Sequence, residues 1–355
     1  MVTKKAMGQY IFWTLPPKDF KFMKMKDKYM VLNSNGGMGY FVGKRVWITG
    51  HKGMLGSALV RNLSTEGAEL LLTSRADLDL ANQAAVLAWM EKFRPELIFH
   101  VAAKVGGIYA NSMLPADFIW QNLMIQSNVI DGAMRIGVQK LVFVASNCTY
   151  PTNAAQPITE DALLTGPLES NIHVYAVSKI TGIEMCRAYR RQYGCNFISV
   201  IPPNLYGPGD NYHSDYSHVV AGILRRTHEA KMEGKSDLVV WGDGTPRREI
   251  LYIDDAAEAM KCVMVAPTTH DLYNIGCGHD FAISELAALI AEVVGFKGTI
   301  VYDTTKPNGT MRKLLDNRRI QAVGWKPKFS EKAGLVVAYE KLLDLLNTPE
   351  QAARI

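Results

Sequence analysis

Short apolar runs alternate with amphipathic stretches from Gly43 to Pro203. The runs are RVWITG, ELLLTS, LIFHVAA, LVFVAS and FISVIP, and they lack the strict polar alternation of a half-exposed strand. Between them, the spacing of apolar residues predicts helices over about residues 53–66, 117–136 and 174–192. Strands that are apolar on both faces and are separated by helices are typical of a parallel sheet covered on each side. We therefore predict an α/β fold with a doubly wound parallel sheet.

The sequence changes in character after Pro203. Loops rich in Gly, Pro and Asn, such as NLYGPGDNYH, WGDGTP and DTTKPNGT, alternate there with shorter predicted helices. We interpret residues 43–202 as one domain built on the parallel sheet. Residues 203–355 are interpreted as mainly a smaller α/β substrate-binding region, some segments of which return to the first domain.

The first 42 residues differ from the rest of the chain. They contain seven Lys and two Asp, which accounts for the whole formal net charge of +5 and leaves the body neutral. A neutral body lacks the basic surface expected of a nucleic-acid-binding protein. We expect residues 1–42 to lie outside the fold. They are either a disordered tail or a segment added by translation from a start codon upstream of the native one, in which case Met30 and Met38 are candidate native starts. Membrane contact by this arm is disfavoured because it shows no helical apolar face.

The composition is that of an ordinary globular protein. Hydrophobic residues make up 48% of the 355 residues and charged ones 21%, with no apolar run long enough to span a bilayer. The five cysteines contain no Cys-x-x-Cys pair that would hold zinc or form a redox disulfide. The N-terminus also lacks the pattern of a secretory signal. We predict a cytoplasmic protein with no metal, no nucleic acid and no membrane partner.

A glycine-rich loop follows the first apolar run. The strand RVWITG leads into Gly50-His-Lys-Gly53-Met-Leu-Gly56 and then into the first predicted helix. In a dinucleotide-binding loop, the first glycine permits a tight turn, the second lets the backbone approach the pyrophosphate, and the third permits close helix packing. A plain glycine-rich turn is the alternative, but the flanking strand and helix favour a Rossmann-type cofactor domain. The predicted cofactor contacts in this part of the chain are Gly50, Lys52, Gly53, Met54, Leu55, Gly56, Ala102 and Ala103.

The end of the second strand predicts which nicotinamide cofactor is bound. An acidic residue there would bind the ribose hydroxyls of NAD. Here ELLLTS ends at Arg75, and Lys52 adds a second cation, which favours the 2′-phosphate of NADP. The alternative is that Arg75 is only solvated and that Asp77 or Asp79 contacts the ribose. We predict NADP(H).

Three residues indicate hydride-transfer chemistry. Tyr175 and Lys179 in YAVSK lie one helical turn apart on the same face, and we also assign both to the cofactor site. A carbonyl that accepts a hydride needs a proton on its oxygen, and a neighbouring ammonium brings the phenol's pKa of about 10 closer to neutrality. Ser146 ends LVFVAS, at the edge where open parallel sheets bind ligands, and would hydrogen-bond the same carbonyl. The combination resembles the extended short-chain dehydrogenases/reductases, in which Ser, Tyr and Lys act on sugar nucleotides.

Longer segments resemble the GDP-L-fucose synthases within that superfamily. The resemblance extends from about Lys44 to the last predicted helices and is carried by SNCTYP, YAVSK, PPNLYGPGDNYHSDYSHVV, WGDGTPRREILYIDD and TKPNGTMRKLLD. It implies NADPH-dependent 3,5-epimerisation and 4-reduction of GDP-4-keto-6-deoxy-D-mannose to GDP-L-fucose by a homodimer. It also implies that Cys148 and His218 are the acid and base of the epimerisation.

The chemistry of the implied reaction suits a cysteine and a histidine. The ketone at C4 acidifies the C–H bonds at C3 and C5, so inversion needs two groups that exchange protons across the ring near neutral pH. Epimerisation must precede reduction because reduction removes the ketone. Without the resemblance, Cys148 would be interpreted as a small core residue and His218 as an ordinary hydrogen-bonding residue.

The resemblance also implies contacts to the nucleotide and the sugar. An Arg fork matches a diphosphate, and a Trp packs against a ring, although each residue has a plain structural alternative. The sequence does not distinguish Lys306 from Lys313 in TKPNGTMRK, and we assign the first. The implied contacts are Asn204, Arg226, Trp241, Arg248 and Lys306.

Small departures from the family leave the sugar open. Lys52 stands where Arg is usual, PPN replaces PTN, and RREILYIDD replaces MREFLHVDD. The alternatives are an epimerase/reductase or a 4-reductase for another GDP-4-keto sugar, such as a heptose or a dideoxy sugar. A non-catalytic NADP-binding sensor is an alternative of another class, and the intact Ser, Tyr and Lys argue against it.

Overall fold

The computed structural model describes residues 22–25, 28–31, 39–106, 111, 113–213, 217–267, 269–306 and 308–348. In chain order, its strands are β1 (Phe22–Met25), β2 (Lys28–Val31), β3 (Arg45–Thr49), β4 (Glu69–Thr73), β5 (Leu97–His100), β6 (Lys140–Val144), β7 (Phe197–Ile201), β8 (Asn204–Tyr206), β9 (Asp237–Trp241), β10 (Arg247–Arg248), β11 (Ile250–Tyr252), β12 (Leu272–Asn274), β13 (Phe281–Ala282), β14 (Thr299–Asp303) and β15 (Arg312–Lys313). The helices with described bounds are α1 (Met54–Leu63), α2 (Gln83–Phe93), α3 (Pro115–Ile136), α4 (His173–Tyr193), α5 (Val219–Met232), α6 (Ile253–Val265), α7 (Ile283–Val294), α8 (Arg318–Ala322) and α9 (Glu331–Leu346).

Six parallel strands form the central sheet in the order β12-β7-β6-β5-β3-β4. Val46 of β3 lies opposite Leu70 of β4 on one side and opposite Leu97 of β5 on the other. The chain therefore runs outward from β3 to β4 and then crosses back to β5, so the strand order reverses at β3. Open parallel sheets bind ligands outside the carboxyl ends of the strands at such a reversal. The predicted α/β fold with a doubly wound parallel sheet is confirmed.

Helices cover both faces of this sheet, as two neighbouring residues of β3 illustrate. Ile48 packs in a core with α1, α6 and α9, whereas Trp47 packs in a second core with α2, α3 and α4. Successive side chains of a strand point to opposite faces, so a strand buried on both faces has no polar alternation. This is the physical reason for the continuous apolar runs of β3, β5, β6 and β7, whereas the edge strand β4 is only partly buried.

The three predicted helices correspond to α1, α3 and α4, with ends that differ by up to three residues. Helix α2 was not predicted, because it buries only Val86 and Met90 and so has a weak apolar pattern. A local signal for it does exist: the side chain of Asn82 caps the helix by accepting a hydrogen bond from the amide of Ala85 at 3.1 Å. None of the described helices is long and apolar enough to cross a membrane.

Smaller sheets lie after residue 203. β9 pairs with β14, β8 pairs with β11, and β10 lies between β13 and β15. β12 returns to the edge of the central sheet, where Leu272 lies opposite Ser199 of β7. A segment of the second region thus contributes to the main sheet, while the domain boundary at residue 203 stays a prediction.

The amino-terminal residues differ in part from the expectation that residues 1–42 lie outside the fold. β1 and β2 pair antiparallel. Phe41 is fully buried in the core, with its ring centroid 6.5 Å from that of Phe99. The predicted boundary therefore cuts through packed residues, because a single aromatic side chain next to glycines has no periodicity to identify it. Residues 1–21, 26–27 and 32–38, which include the candidate start Met38, lie outside the described residues.

Candidate active site

A cleft of about 880 Å³ lies at the carboxyl ends of β3, β5 and β6. It collects predicted site residues from segments that are far apart in the sequence. Gly56 and Cys148 are buried beside the cleft and do not line it. The predicted residues that line it are Gly50, Lys52, Gly53, Met54, Leu55, Arg75, Ala102, Ala103, Ser146, Tyr175, Lys179, Asn204 and His218.

The glycine loop forms the floor of this cleft. Gly50 has φ of +71°, and a Cβ there would lie 2.9 Å from the Cα of Ala102. A Cβ on Gly56 would lie 2.7 Å from the carbonyl carbon of Gly50, so the first turn of α1 packs directly on the loop. Gly53 precedes α1 without a side-chain cap, which leaves the first amides of the helix available to an anion. This arrangement is able to hold a pyrophosphate.

The end of β4 presents a cation to the cleft. Arg75 is exposed there. Asp77 accepts hydrogen bonds from the amide and the hydroxyl of Ser74 at 2.9 and 2.5 Å. Both lower the pKa of its carboxyl, and the hydroxyl has the larger effect. Asp79 accepts a hydrogen bond from the amide of Ala81 at 3.1 Å. Both carboxylates accept hydrogen bonds within the turn, but Asp79 also lines the cleft together with Arg75.

Tyr175 and Lys179 lie on the face of α4 that meets β6. The buried ammonium of Lys179 donates to the carbonyl of Val144 at 2.9 Å, and burial lowers its pKa to about 8. The same ammonium lies 6.0 Å from the ring centroid of Tyr175. Burial raises the pKa of the phenol, contrary to the lowering that the sequence predicted from Lys179, so the phenol is protonated at neutral pH. Ser146 caps the following 3-10 turn, where its hydroxyl accepts a hydrogen bond from the amide of Cys148 at 3.4 Å.

Cys148 and His218 are in different electrostatic environments. Burial raises the pKa of the Cys148 thiol, while the Ser146 hydroxyl and the ammonium groups of Lys313 and Lys179 act in the opposite direction. A thiolate at this position would therefore have two cations nearby, although Lys313 is paired with Glu169, whose charge also raises the pKa of the thiol. His218 immediately precedes α5 and is exposed to the cleft, but the surrounding walls exclude water and lower the pKa of its imidazole.

The remaining predicted contacts do not line the cleft, and three of them, Arg226, Trp241 and Lys306, form a second group. Trp241 is 54% exposed, and two cations flank its ring: the guanidinium carbon of Arg226 at 5.5 Å and the ammonium of Lys306 at 5.7 Å from the centroid. The Nε of Arg226 is buried and has no hydrogen-bond partner among the described residues. Arg248 donates to the carbonyl of Thr310 at 2.5 Å.

The structure separates the two lysines that the sequence could not distinguish. Lys306 is exposed beside Trp241. Lys313 is buried, pairs with Glu169 at 3.0 Å and interacts electrostatically with Cys148. The two side chains therefore lie at different sites, one beside Trp241 and the other near Cys148.

His100 is a buried residue behind the cleft that the sequence interpretation did not consider. The hydroxyl of Thr49 accepts from the amides of Val101 and Ala102, both at 3.1 Å, and lies 2.8 Å from the Nδ1 of His100. With both lone pairs used, the hydroxyl must donate to Nδ1, so the proton of the ring is on Nε2. Burial, and secondarily Lys179, lowers the pKa of His100 to about 3 and keeps it neutral. The sequence signal that could have identified this residue is the single histidine within the apolar run LIFHVAA.

Comparisons with known proteins agree with this geometry. The model of the NAD dependent epimerase/dehydratase family matches residues 46–276. The GDP-L-fucose synthase of Sinorhizobium fredii is 50% identical over 301 residues, which cover 85% of this chain and 96% of that protein. This similarity confirms the resemblance found in the sequence.

Solved structures with a related fold include two proteins described with a bound or added cofactor. A GDP-D-glycero-L-gluco-heptose synthase from Campylobacter jejuni, in the presence of NADPH, has a TM-score of 0.79 at 36% identity, covering 85% of this chain and 98% of that one. A GDP-L-fucose synthetase from Naegleria fowleri, bound to NADP, has a TM-score of 0.80 at 27% identity, covering 86% of this chain and 94% of that one. The chain belongs to the NAD-dependent epimerase/dehydratase family.

Proposed function

We propose that this protein is an NADPH-dependent 3,5-epimerase/4-reductase that converts GDP-4-keto-6-deoxy-D-mannose to GDP-L-fucose. The observation that carries the proposal is the 50% identity to a GDP-L-fucose synthase over 96% of that protein's length. The cleft adds independent support, because Ser146, Tyr175, Lys179 and His218 line it together, with Cys148 buried beside them.

The glycine loop and Arg75 are suited to NADP(H). The uncapped start of α1 offers amides to the pyrophosphate, and Arg75 with Lys52 offers positive charge to a 2′-phosphate. Of the alternative ribose contacts, Asp77 does not line the cleft, whereas Asp79 lines it beside Arg75 and remains a candidate contact to the ribose. When bound, the nicotinamide supplies the hydride for C4.

Tyr175 is the proton donor of the proposed reduction. Its phenol protonates the C4 oxygen, and the hydroxyl of Ser146 hydrogen-bonds the same atom. The Lys179 ammonium stabilises the tyrosinate that remains. Because the pKa of Lys179 is about 8, this charge is present at neutral pH.

Cys148 and His218 are the proposed acid and base of the epimerisation. Removal of the proton at C3 or C5 gives an enolate that is conjugated with the C4 ketone, and a proton returned to the opposite face inverts the carbon. The lowered pKa of His218 keeps its imidazole neutral and able to accept a proton. The cations beside Cys148 make a transient thiolate less costly.

The nucleotide is proposed to bind around Trp241. Its exposed ring offers a stacking surface, and Arg226 and Lys306 offer charges to the diphosphate. The unpartnered Nε of Arg226 is a buried donor that a phosphate oxygen would satisfy. Asn204 and Arg248 are assigned to the same substrate.

A cytoplasmic homodimer is part of the same proposal. All five cysteines are free, as expected in a reducing compartment. Helices α3 and α4 pack together, and Trp120 on α3 is 59% exposed next to the cleft. Light scattering of the full chain tests the assembly, and a strictly monomeric mass would contradict it.

One incubation tests the chemistry. The protein is mixed with NADPH and GDP-4-keto-6-deoxy-D-mannose in deuterated water, and the product is analysed by NMR. We expect deuterium at C3 and C5 and protium from the cofactor at C4. NADPH consumption without deuterium incorporation would contradict the epimerase assignment.

Three variants assign the steps to residues. Cys148→Ser should slow deuterium exchange, whereas Tyr175→Phe should mainly stop NADPH oxidation. Cys262→Ser is the matched control, because this half-buried cysteine in α6 does not line the cleft. Equal loss in Cys148→Ser and Cys262→Ser would indicate a structural effect rather than a role in proton transfer.

A related GDP-4-keto heptose is the second candidate substrate. The similarity to the Campylobacter jejuni heptose synthase at a TM-score of 0.79 favours testing it. Parallel kinetics with both sugars distinguish the candidates, and a higher kcat/KM for the heptose would replace the fucose assignment.

A further inference from the structure

Cys277, His279 and Glu331 meet at a place that is separate from the cleft. Cys277 and His279 belong to the loop between β12 and β13, and Glu331 is the first residue of α9. The sulfur, a ring nitrogen and a carboxylate oxygen of these residues all lie within 4.8 Å of one another. None of the three lines the cleft, so the inference that follows does not depend on the proposed function.

Hydrogen bonds to other residues of the protein fix the backbone that carries these side chains. Glu249 is fully buried and accepts hydrogen bonds from the amides of Gly278 and Leu315, both at 2.9 Å. The carbonyl of Glu331 accepts a hydrogen bond from the hydroxyl of Tyr206 at 3.2 Å. The loop and the start of α9 are therefore positioned independently of their own side chains, as a preformed ion site requires.

The three side chains already face one another. The Nε2 of His279 lies 2.5 Å from a carboxylate oxygen of Glu331. The sulfur of Cys277 lies 3.4 Å from the carbonyl oxygen of Ile250 and 3.3 Å from that of His279, so the two carbonyls share its single S–H donor.

We propose that Cys277, His279 and Glu331 bind one divalent ion of the zinc class, with solvent as the fourth ligand. Thiolate, imidazole and carboxylate are ligands that zinc takes in four-coordinate sites, at about 2.0–2.3 Å. Such distances place the ligand atoms about 3.3–3.7 Å apart, so His279 and Glu331 have to separate by about 1 Å. The side chain of His279 is 50% exposed and has room for this movement. Binding releases the thiol proton to solvent.

The expected consequence is a stronger attachment of α9 to the body of the protein. α9 contributes Leu335, Ala338 and Leu342 to the core, and the ion would add a bond from its first residue to the loop after β12. A ligand that binds only the folded state stabilises it in proportion to the logarithm of its concentration above Kd. Magnesium, which takes oxygen ligands, should not replace zinc.

Cobalt titration of the metal-free, full-length protein tests the proposal. We expect a thiolate-to-cobalt charge-transfer band in the near ultraviolet, together with the visible bands of tetrahedral cobalt. The signal should saturate at about one equivalent, disappear on addition of zinc and be unaffected by magnesium. Absence of the charge-transfer band in the wild-type protein overturns the proposal.

Variants identify the ligands. Cys277→Ser should remove the charge-transfer band, whereas Cys148→Ser and Cys195→Ser should keep it. His279→Gln, at a half-exposed position where folding is not at risk, should weaken cobalt binding at least tenfold and abolish the rise in Tm that zinc causes in the wild type. A band that survives Cys277→Ser, or one that is lost in Cys148→Ser, places the metal elsewhere and refutes the site.

Discussion

Replacement of Gly56 by alanine tests the close packing of the glycine loop on α1. The added Cβ would lie 2.7 Å from the carbonyl carbon of Gly50 and 2.8 Å from the Cα of His51. Both atoms belong to the backbone, so no side-chain rotation relieves the overlap, and loop and helix must move apart by about 1 Å. Overpacking of this kind costs about 1–3 kcal/mol, and we expect the upper end of that range.

Gly53→Ala is the matched control within the same loop. Its Cβ would have only one neighbour, the carbonyl oxygen of Gly50 at 3.4 Å, and its φ of −77° suits any residue. The loss of stability should not exceed about 1 kcal/mol, the cost of alanine at a helix N-cap. The new methyl group nevertheless projects into the cleft, where the pyrophosphate is proposed to approach.

Urea unfolding and NADPH binding measured on both variants separate the two effects. Gly56→Ala should lose stability and bind NADPH at least tenfold more weakly, which corresponds to about 1.4 kcal/mol. Gly53→Ala should lose affinity with almost no loss of stability. If Gly56→Ala retained both wild-type stability and wild-type affinity, the inferred packing of α1 on the loop would be refuted.

Three further outcomes are expected. The rate of NADPH oxidation should fall as the pH rises above about 8, where buried Lys179 loses its proton, and a rate that is constant well above this pH would contradict the role of its charge. Arg75→Ser should weaken NADPH binding by about tenfold while leaving NADH binding unchanged, since only NADPH carries the 2′-phosphate; unchanged binding of both cofactors would favour the alternative that Arg75 is only solvated. Phe41→Ala should cost about 3–5 kcal/mol in urea unfolding, as expected for an aromatic side chain with no exposed surface, whereas Val42→Ala at an exposed position should cost less than about 0.5 kcal/mol. A small loss for Phe41→Ala would mean that residues 39–42 do not contribute to the core.

Local patterns identified much of the fold and of the candidate site. A strand buried on both faces must be apolar throughout, so β3, β5, β6 and β7 were visible as continuous runs. The edge strand β4 was visible because its sequence ELLLTS is apolar although the strand is only partly buried. Tyr175 and Lys179 share a helix face because of their spacing alone. The glycine loop was recognisable by its spacing, and the contacts of Gly50 and Gly56 show that two of its three glycines answer a steric requirement that no other residue meets.

Relations between distant segments were decided only by the tertiary structure. The strand order reverses at β3 because of how β4 and β5 pair with it, and no local pattern encodes that pairing. Lys306 and Lys313 belong to one short segment, yet one is exposed beside Trp241 and the other is buried against Glu169. The sixth strand, β12, is too short to be recognised in the sequence.

The same division applies to individual polar side chains. The sequence by itself determined which residues carry useful chemistry, because a thiol, a phenol or an imidazole has its reactivity wherever it stands. The tertiary structure decided their surroundings: the tautomer of His100, the cations near Cys148, and the meeting of Cys277 and His279 with Glu331. The physical reason is that burial and electrostatic interaction depend on which segments pack together, and that packing follows from the free energy of the whole chain.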